Sequence, residues 1–213
     1  MKVELSGKLA VLTGASGALG KAIADALSAN GATVASVDAR DGPLSEAALD
    51  RAVGRSGEPF LLVNLSRGAE GLPDGDQPAE VGAELRDFTL ATRHLAARVT
   101  RVVNVVSAAG LVPLRGAAVF SAEQAGLVAL TRTLAMELGP RVMVNAVAVG
   151  SFAAAEGEPR AARLLSHTAL KRPARPGEIV AAVLFLADPA NTYMSGHTLN
   201  VDGGWAAGYA RDF

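Results

Sequence analysis

Strand-length runs of valine, leucine and alanine recur along this chain, each separated from the next by a segment of helical character. They read "LAVLTG" (9–14), "ATVASVD" (32–38), "PFLLVNL" (59–65), "RVVNVVS" (101–107), "VMVNAVAV" (142–149) and "HTLNVDG" (197–203). The pattern between them predicts helices over 18–29, 45–53, 79–98, 122–138 and 176–188. Near-continuous apolar strands are those buried on both faces, and strand–helix alternation supplies the crossovers that parallel pairing needs. The expected fold is α/β, a doubly wound parallel sheet between two layers of helices. With 213 residues, half of them hydrophobic, the chain can fill one core, so 1–213 is read as a single domain. The loop-rich stretch "SRGAEGLPDGDQPAE" (66–80) reads as a surface loop rather than a boundary.

Several function classes are disfavoured at this level. The formal charge is −1 and the basic residues are scattered, which is not a nucleic-acid footprint. Every apolar run is interrupted before the ~18 residues a membrane helix requires, and "MKVELSGK" lacks a signal-peptide core, so a cytoplasmic location is expected. There is no cysteine, and His94, His167 and His197 have no ligand spacing, so no metal site is expected.

The first strand runs directly into "TGASGALGKAIADALSANGA", with Gly14, Gly17 and Gly20 at the turn and the helix start. Glycines there let the backbone approach a pyrophosphate, and the helix N-terminus offers unpaired N–H groups to it. Asp38 ends the second strand, 24 residues after Gly14. A carboxylate at that place accepts hydrogen bonds from ribose hydroxyls and repels a 2′-phosphate, which favours NAD over NADP. The other reading of the same residues is a tight strand–helix turn in a fold that no longer binds nucleotide.

On "TGASGALG", "VVNVVSAAG" (102–110), "AGLVALTRTLAMELGP" (125–140), "RVMVNAVAVG" (141–150) and "RPARPGEIVAAVLFLADPANTYMSGHTLNVDGGW" (172–205), the chain resembles the short-chain dehydrogenase/reductase family from about Leu5 to Gly204. The resemblance implies a Rossmann fold and cofactor contacts at Gly14, Ser16, Leu19, Gly20, Asp38, Asn64 and Gly150. In that family a Tyr acts as general acid/base, a Lys four residues later lowers its pKa, and an upstream Ser holds the substrate oxygen. Those positions fall here on Phe120, Gln124 and Ser107, with the family's helix Asn near Ala83. Only the serine is retained. The tyrosines are Tyr193 and Tyr209 and the lysines Lys2, Lys8, Lys21 and Lys171, so no shift of register restores the pair. Phenylalanine has no ionisable proton. If Ser121 caps the helix, Gln124 completes a Ser-x-x-Gln capping box, which gives it a structural role.

Further departures surround the same place. The family's Asn-Asn-Ala-Gly is "NLSR" (64–67), its Pro-Gly is Val149-Gly150, and Ala18 replaces the middle glycine of the turn. Only about twenty residues separate Asp38 from the strand at Leu61, too few for the family's usual helix–strand–helix, so its third, edge strand is expected to be deleted. The segment after Gly150, normally a substrate lid, is short.

A retained scaffold without the Tyr–Lys pair resembles the non-catalytic subunit of heteromeric ketoreductases and hydroxyacyl dehydrogenases. The expected partner is an active paralogue, in a heterotetramer, or a second copy in a dimer or tetramer, through the helices of 79–98 and 122–138. An acyl thioester substrate would then be turned over by the complex. The alternative is an autonomous NAD-dependent alcohol/ketone oxidoreductase in which Ser107 polarises a carbonyl and water or His167 supplies the proton. His167 reads equally as a solvated loop residue, and Glu123 as an exposed acid in the first helical turn.

Overall fold

The computed structural model describes residues 1–38, 43–54, 56–71, 82–152 and 164–208. The expected start of a helix at 79–81, most of the loop at 72–80, the lid residues 153–163 and Tyr209 lie outside them.

Six parallel strands form one sheet: β1 (Leu9–Thr13), β2 (Thr33–Val37), β3 (Pro59–Leu65), β4 (Arg101–Ser107), β5 (Met143–Val149) and β6 (Thr198–Val201). Their spatial order is β2-β1-β3-β4-β5-β6. Among the described residues no strand lies beyond β2, in keeping with a missing edge strand. Among the described residues five helices cross between them: α1 (Ala18–Ala29), α2 (Glu46–Val53), α3 (Ala83–Leu95), α4 (Ala118–Leu138) and α5 (Pro176–Ala187).

Because strand side chains alternate between faces, the sheet divides its apolar residues between two cores. On one face Leu12, Val63, Val105 and Val147 meet Leu19, Ile23 and Leu27 of α1 and Ile179, Val183 and Leu186 of α5. On the other, Val11, Leu62, Val102 and Val144 meet Leu49 of α2, Leu95 of α3 and Leu134 of α4. Each such fully buried branched side chain stabilises the fold by about 1.5–3 kcal/mol relative to exposure.

Helix α1 buries Leu19, Ile23 and Leu27 at fourfold spacing and ends at Asn30, whose amide donates to the Ala26 carbonyl at 2.8 Å. Gly31 then adopts φ +92 and turns the chain into β2.

Helix α4 begins one turn before the expected 122, at Ala118. The N–H of Ser121 bonds the Ala117 carbonyl at 2.9 Å, and the Ser121 hydroxyl accepts from Leu114 N at 3.0 Å. Ser121 is therefore an interior residue holding the incoming loop rather than a cap. The capping box expected of Ser121 and Gln124 does not form.

Between β1 and β3 the chain reverses its direction across the sheet, after laying β2 on one side and returning to the other. At such a switch point the loops leaving the two strands diverge to opposite faces and open a crevice at the strands' C-terminal ends.

Candidate functional site

That crevice is framed by the glycine turn after β1 and the loop after β3. Gly14 has φ +74, and a Cβ there would lie 2.4 Å from the Leu65 carbonyl oxygen, so only glycine lets the two strand ends approach. Gly20 is equally constrained, since its Cβ would lie 2.6 Å from Ala15 Cα. Ser16 is exposed on the turn, whereas Leu19 is fully buried and serves the core. Asp38 follows β2 and borders a pocket of about 290 Å³ with Thr13, Gly14, Leu44 and Arg67. This end suits the adenosine half of a dinucleotide.

The adjoining phosphate end is different. After Leu65 the chain makes a 3-10 turn over Arg67–Ala69, capped by the Ser66 hydroxyl, which accepts from Gly68 N at 3.0 Å. The turn delivers Glu70 to the start of α1, where its Oε1 accepts from the N–H groups of Leu19 and Gly20, both at 3.0 Å. The residues at the adenosine end fit a nicotinamide dinucleotide. Those at the pyrophosphate end, with Glu70 where it stands, do not.

At the other side of the crevice the structure brings Ser107, Phe120 and Gln124 around the same loop. Gln124 is 1% exposed. Its Oε1 accepts from Ser107 N at 2.8 Å, and its Nε2 donates to Ser66 Oγ at 3.0 Å and to a Glu84 oxygen at 3.1 Å. The Ser107 side chain is itself buried, and its hydroxyl accepts from Ala109 N at 3.3 Å at the start of a 3-10 turn. The Phe120 ring lies against Gly68, where a Cβ would come within 2.6 Å of Phe120 Cε2 and 2.9 Å of Gln124 Nε2.

Glu84 completes this network from the first turn of α3, next to Ala83. It accepts from Ser66 Oγ at 2.5 Å, Arg67 N at 2.8 Å, Arg67 Nε at 3.3 Å and Gln124 Nε2. Four donors on one buried carboxylate satisfy its hydrogen-bonding capacity. Glu123 is half-buried rather than exposed. Its carboxylate receives the Glu84 N–H at 3.3 Å and so caps α3, not α4. Burial, with the Glu84 charge second, raises its pKa above the ordinary carboxylate value.

Two of the expected cofactor residues lie beneath or beside the cleft. Asn64 is fully buried and its amide is engaged on both sides, accepting from Thr13 Oγ1 at 3.0 Å and donating to Asn104 Oδ1 at 2.9 Å and Thr92 Oγ1 at 3.3 Å. Gly150 leaves β5 against Asp202, whose Cα would be 2.6 Å from an added Cβ. His167 is exposed on the segment that opens at 164. Beside that segment, Ser151, Thr168, Arg172 and Asn200 border a second cavity of about 430 Å³.

Glu70 and Glu84 are functional-site residues that the sequence reading missed. A signal existed for Glu70: once β3 is placed beside β1, an acid five residues beyond β3 overhangs the glycine turn. Among the described residues, no cluster of acidic or histidine side chains is placed to hold a metal ion, and no helix is long and apolar enough to cross a membrane.

Residues 86–206 match the family model described as enoyl-(acyl carrier protein) reductase. A 3-oxoacyl-[acyl-carrier-protein] reductase of Synechocystis sp. is 31% identical over 94% of this chain and 97% of its own length. A reductase of the same name from Vibrio harveyi is 28% identical over 95% of this chain and 98% of its own. Among solved structures, a short-chain dehydrogenase/reductase from Serratia marcescens superposes with a TM-score of 0.80 at 28% identity, over 95% of this chain and 99% of that one. The family-model match, these alignments and the shared fold together establish that the chain belongs to the short-chain dehydrogenase/reductase family of oxidoreductases.

Proposed function

We propose that this chain is the non-catalytic subunit of an NAD(P)-dependent ketoacyl or hydroxyacyl oxidoreductase, assembled with an active member of the same family. One observation carries the reading. At the position where the family has its lysine, Gln124 is bound into a buried structural network with Ser66, Glu84 and Ser107. A neutral amide held this way offers no positive charge to a phenol, and Phe120 offers no proton to a carbonyl. What these residues do is fix the loop after β3 against α3 and α4.

Two surfaces suit assembly. Helix α4 turns Ala118, Ala122, Ala125 and Ala129 outward in one stripe that ends at Met136, which is 85% exposed. Among the described residues no strand lies beyond β6, and Tyr193, five residues before it in the chain, is fully exposed. The acyl substrate class comes from the relatives named as 3-oxoacyl reductases, whose reaction the active partner would perform.

The test is purification of the tagged chain from its native host, with mass and subunit identity read by native mass spectrometry. The expected result is a stoichiometric second family member carrying the Tyr–Lys pair, with β-ketoacyl thioester reduction by the complex. A complex of this chain alone overturns the reading. A complementary arm uses Phe120→Tyr with Gln124→Lys in the purified chain. Ketone reduction by unaltered protein without a partner would favour the autonomous enzyme instead.

A further inference from the structure

The first turn of α1 has donors that its own sequence does not satisfy. Gly17 at the N-cap provides no side-chain acceptor, and the first turn contains no acidic residue. Unpaired N–H groups at the positive end of a helix dipole attract an anion. In this fold that place is where the pyrophosphate of a dinucleotide sits.

Here the anion comes from the chain itself. Glu70 Oε1 bonds Leu19 N and Gly20 N, and Oε2 stands over Gly17, where an added Cβ would lie 1.5 Å from it. The carboxylate thus occupies the very space that the absence of a side chain at Gly17 leaves open. A phosphate and this carboxylate could not both fit, and their like charges would repel.

The loop carrying Glu70 is anchored at its other end as well. Ser66 and Arg67 are bonded to Glu84 of α3, and Gly68 is wedged against Phe120 and Gln124 of α4. An opening movement of the whole loop would therefore have to break the buried network, whereas a rotation of the Glu70 side chain alone would not.

We propose that Glu70 is an internal competitor for the pyrophosphate of a nicotinamide dinucleotide, holding the cofactor cleft of this chain in a closed form. The adenosine end remains built, with Asp38 and its pocket beside Gly14. Removal of one carboxylate should then be enough to expose an otherwise intact cradle. This inference is independent of the subunit reading: a non-catalytic subunit can bind cofactor, and a self-closed chain can form a homo-oligomer.

The experiment is calorimetric titration of the full chain with NADH and with ADP-ribose, comparing unaltered protein, Glu70→Ala and Glu70→Gln. Because apparent affinity scales with the fraction of open cleft, Glu70→Ala is expected to bind both probes at least about ten-fold more tightly than unaltered protein. Glu70→Gln keeps an acceptor for the two N–H groups but no charge, and should fall between them. Inorganic pyrophosphate should follow the same order. Circular dichroism melts of the three proteins verify that the variants fold, and Glu70→Gln, nearly isosteric, supplies the comparison if Glu70→Ala does not. Equal affinity across the series overturns the proposal, whether all the proteins bind or none does. Neither outcome alters the subunit composition found by purification, so the two readings fail separately.

Discussion

Two buried polar networks cross this sheet, one inside it and one along its rim, and they differ in what they are made of. The inner one joins Thr13, Asn64, Asn104 and Thr131, with the Thr92 hydroxyl accepting from Asn64 at its side. Thr13, Asn64 and Asn104 are register partners on three adjacent strands, so strand pairing alone aligns them. All its members are neutral. The rim network joins Ser66, Glu84, Gln124 and the Ser107 N–H, is assembled from the loop after β3, the end of β4 and two helices, and contains a carboxylate. The inner network braces strands whatever happens in the cleft, whereas the rim stands where the family's chemistry would be. The residues at the rim can thus vary while the internal bracing stays intact.

The difference predicts unequal costs. Asn104→Ala removes two buried amide bonds, leaves one Asn64 N–H and one Thr131 lone pair without a partner and opens a void beside the sheet, so urea unfolding should show a loss of about 3–4 kcal/mol. Gln124→Ala should cost about 2 kcal/mol, because Ser66 and Glu84 keep their bond to each other and only the Ser107 N–H loses the Gln124 oxygen. A reversed order would mean that the rim, not the strand row, braces the molecule.

Charge separates the two networks more sharply. Gln124→Glu keeps the acceptor for Ser107 N but sets a second carboxylate against Glu84 in a buried place. Burial and the like charge both raise the pKa of the new acid in the folded state above its unfolded value. The folded protein then binds more protons than the unfolded one, so the stability deficit is greatest at neutral pH and shrinks as pH falls through the raised pKa. Chemical denaturation at pH 7.5 and pH 5.5 measures this: the deficit relative to unaltered protein should be at least about 1 kcal/mol larger at the higher pH. A deficit independent of pH would show that the rim tolerates charge as water does.

The contrast also marks what was legible in the sequence. Strands were readable because burial on both faces leaves uninterrupted apolar runs, and the missing edge strand because about twenty residues cannot hold it. The start of α4 was misplaced because Ser-x-x-Gln looks the same whether the serine caps a helix or receives the Leu114 N–H from inside it. The resemblance places Asn64 near the cofactor, and in the fold its side-chain amide is engaged by Thr13 on β1, Asn104 on β4 and Thr92 on α3. Glu70 and Glu84 act through partners that are 50 and 40 residues distant, and no local periodicity records such contacts.

The smallest expected effect concerns Glu123, which lies next to the rim in sequence without belonging to its core. Its pKa is raised, first by burial and then by Glu84, against the favourable backbone N–H groups of Glu84 and Gly82. A folded-state pKa above the unfolded value means that the ionised form is disfavoured in the fold, a cost present at neutral pH, relieved as pH falls through the raised pKa and gone below the ordinary carboxylate value. Glu123→Gln removes the charge while retaining an oxygen for the α3 N-terminus. Its Tm should therefore rise by about 1–2 °C at pH 7 and match that of unaltered protein below about pH 4. A lower Tm at pH 7 would mean that the negative charge on the start of α3 outweighs desolvation. Glu123 would then stand with Glu84 and Glu70 as a third carboxylate stabilising the closed rim, and the line between bracing and rim would run through α4 itself.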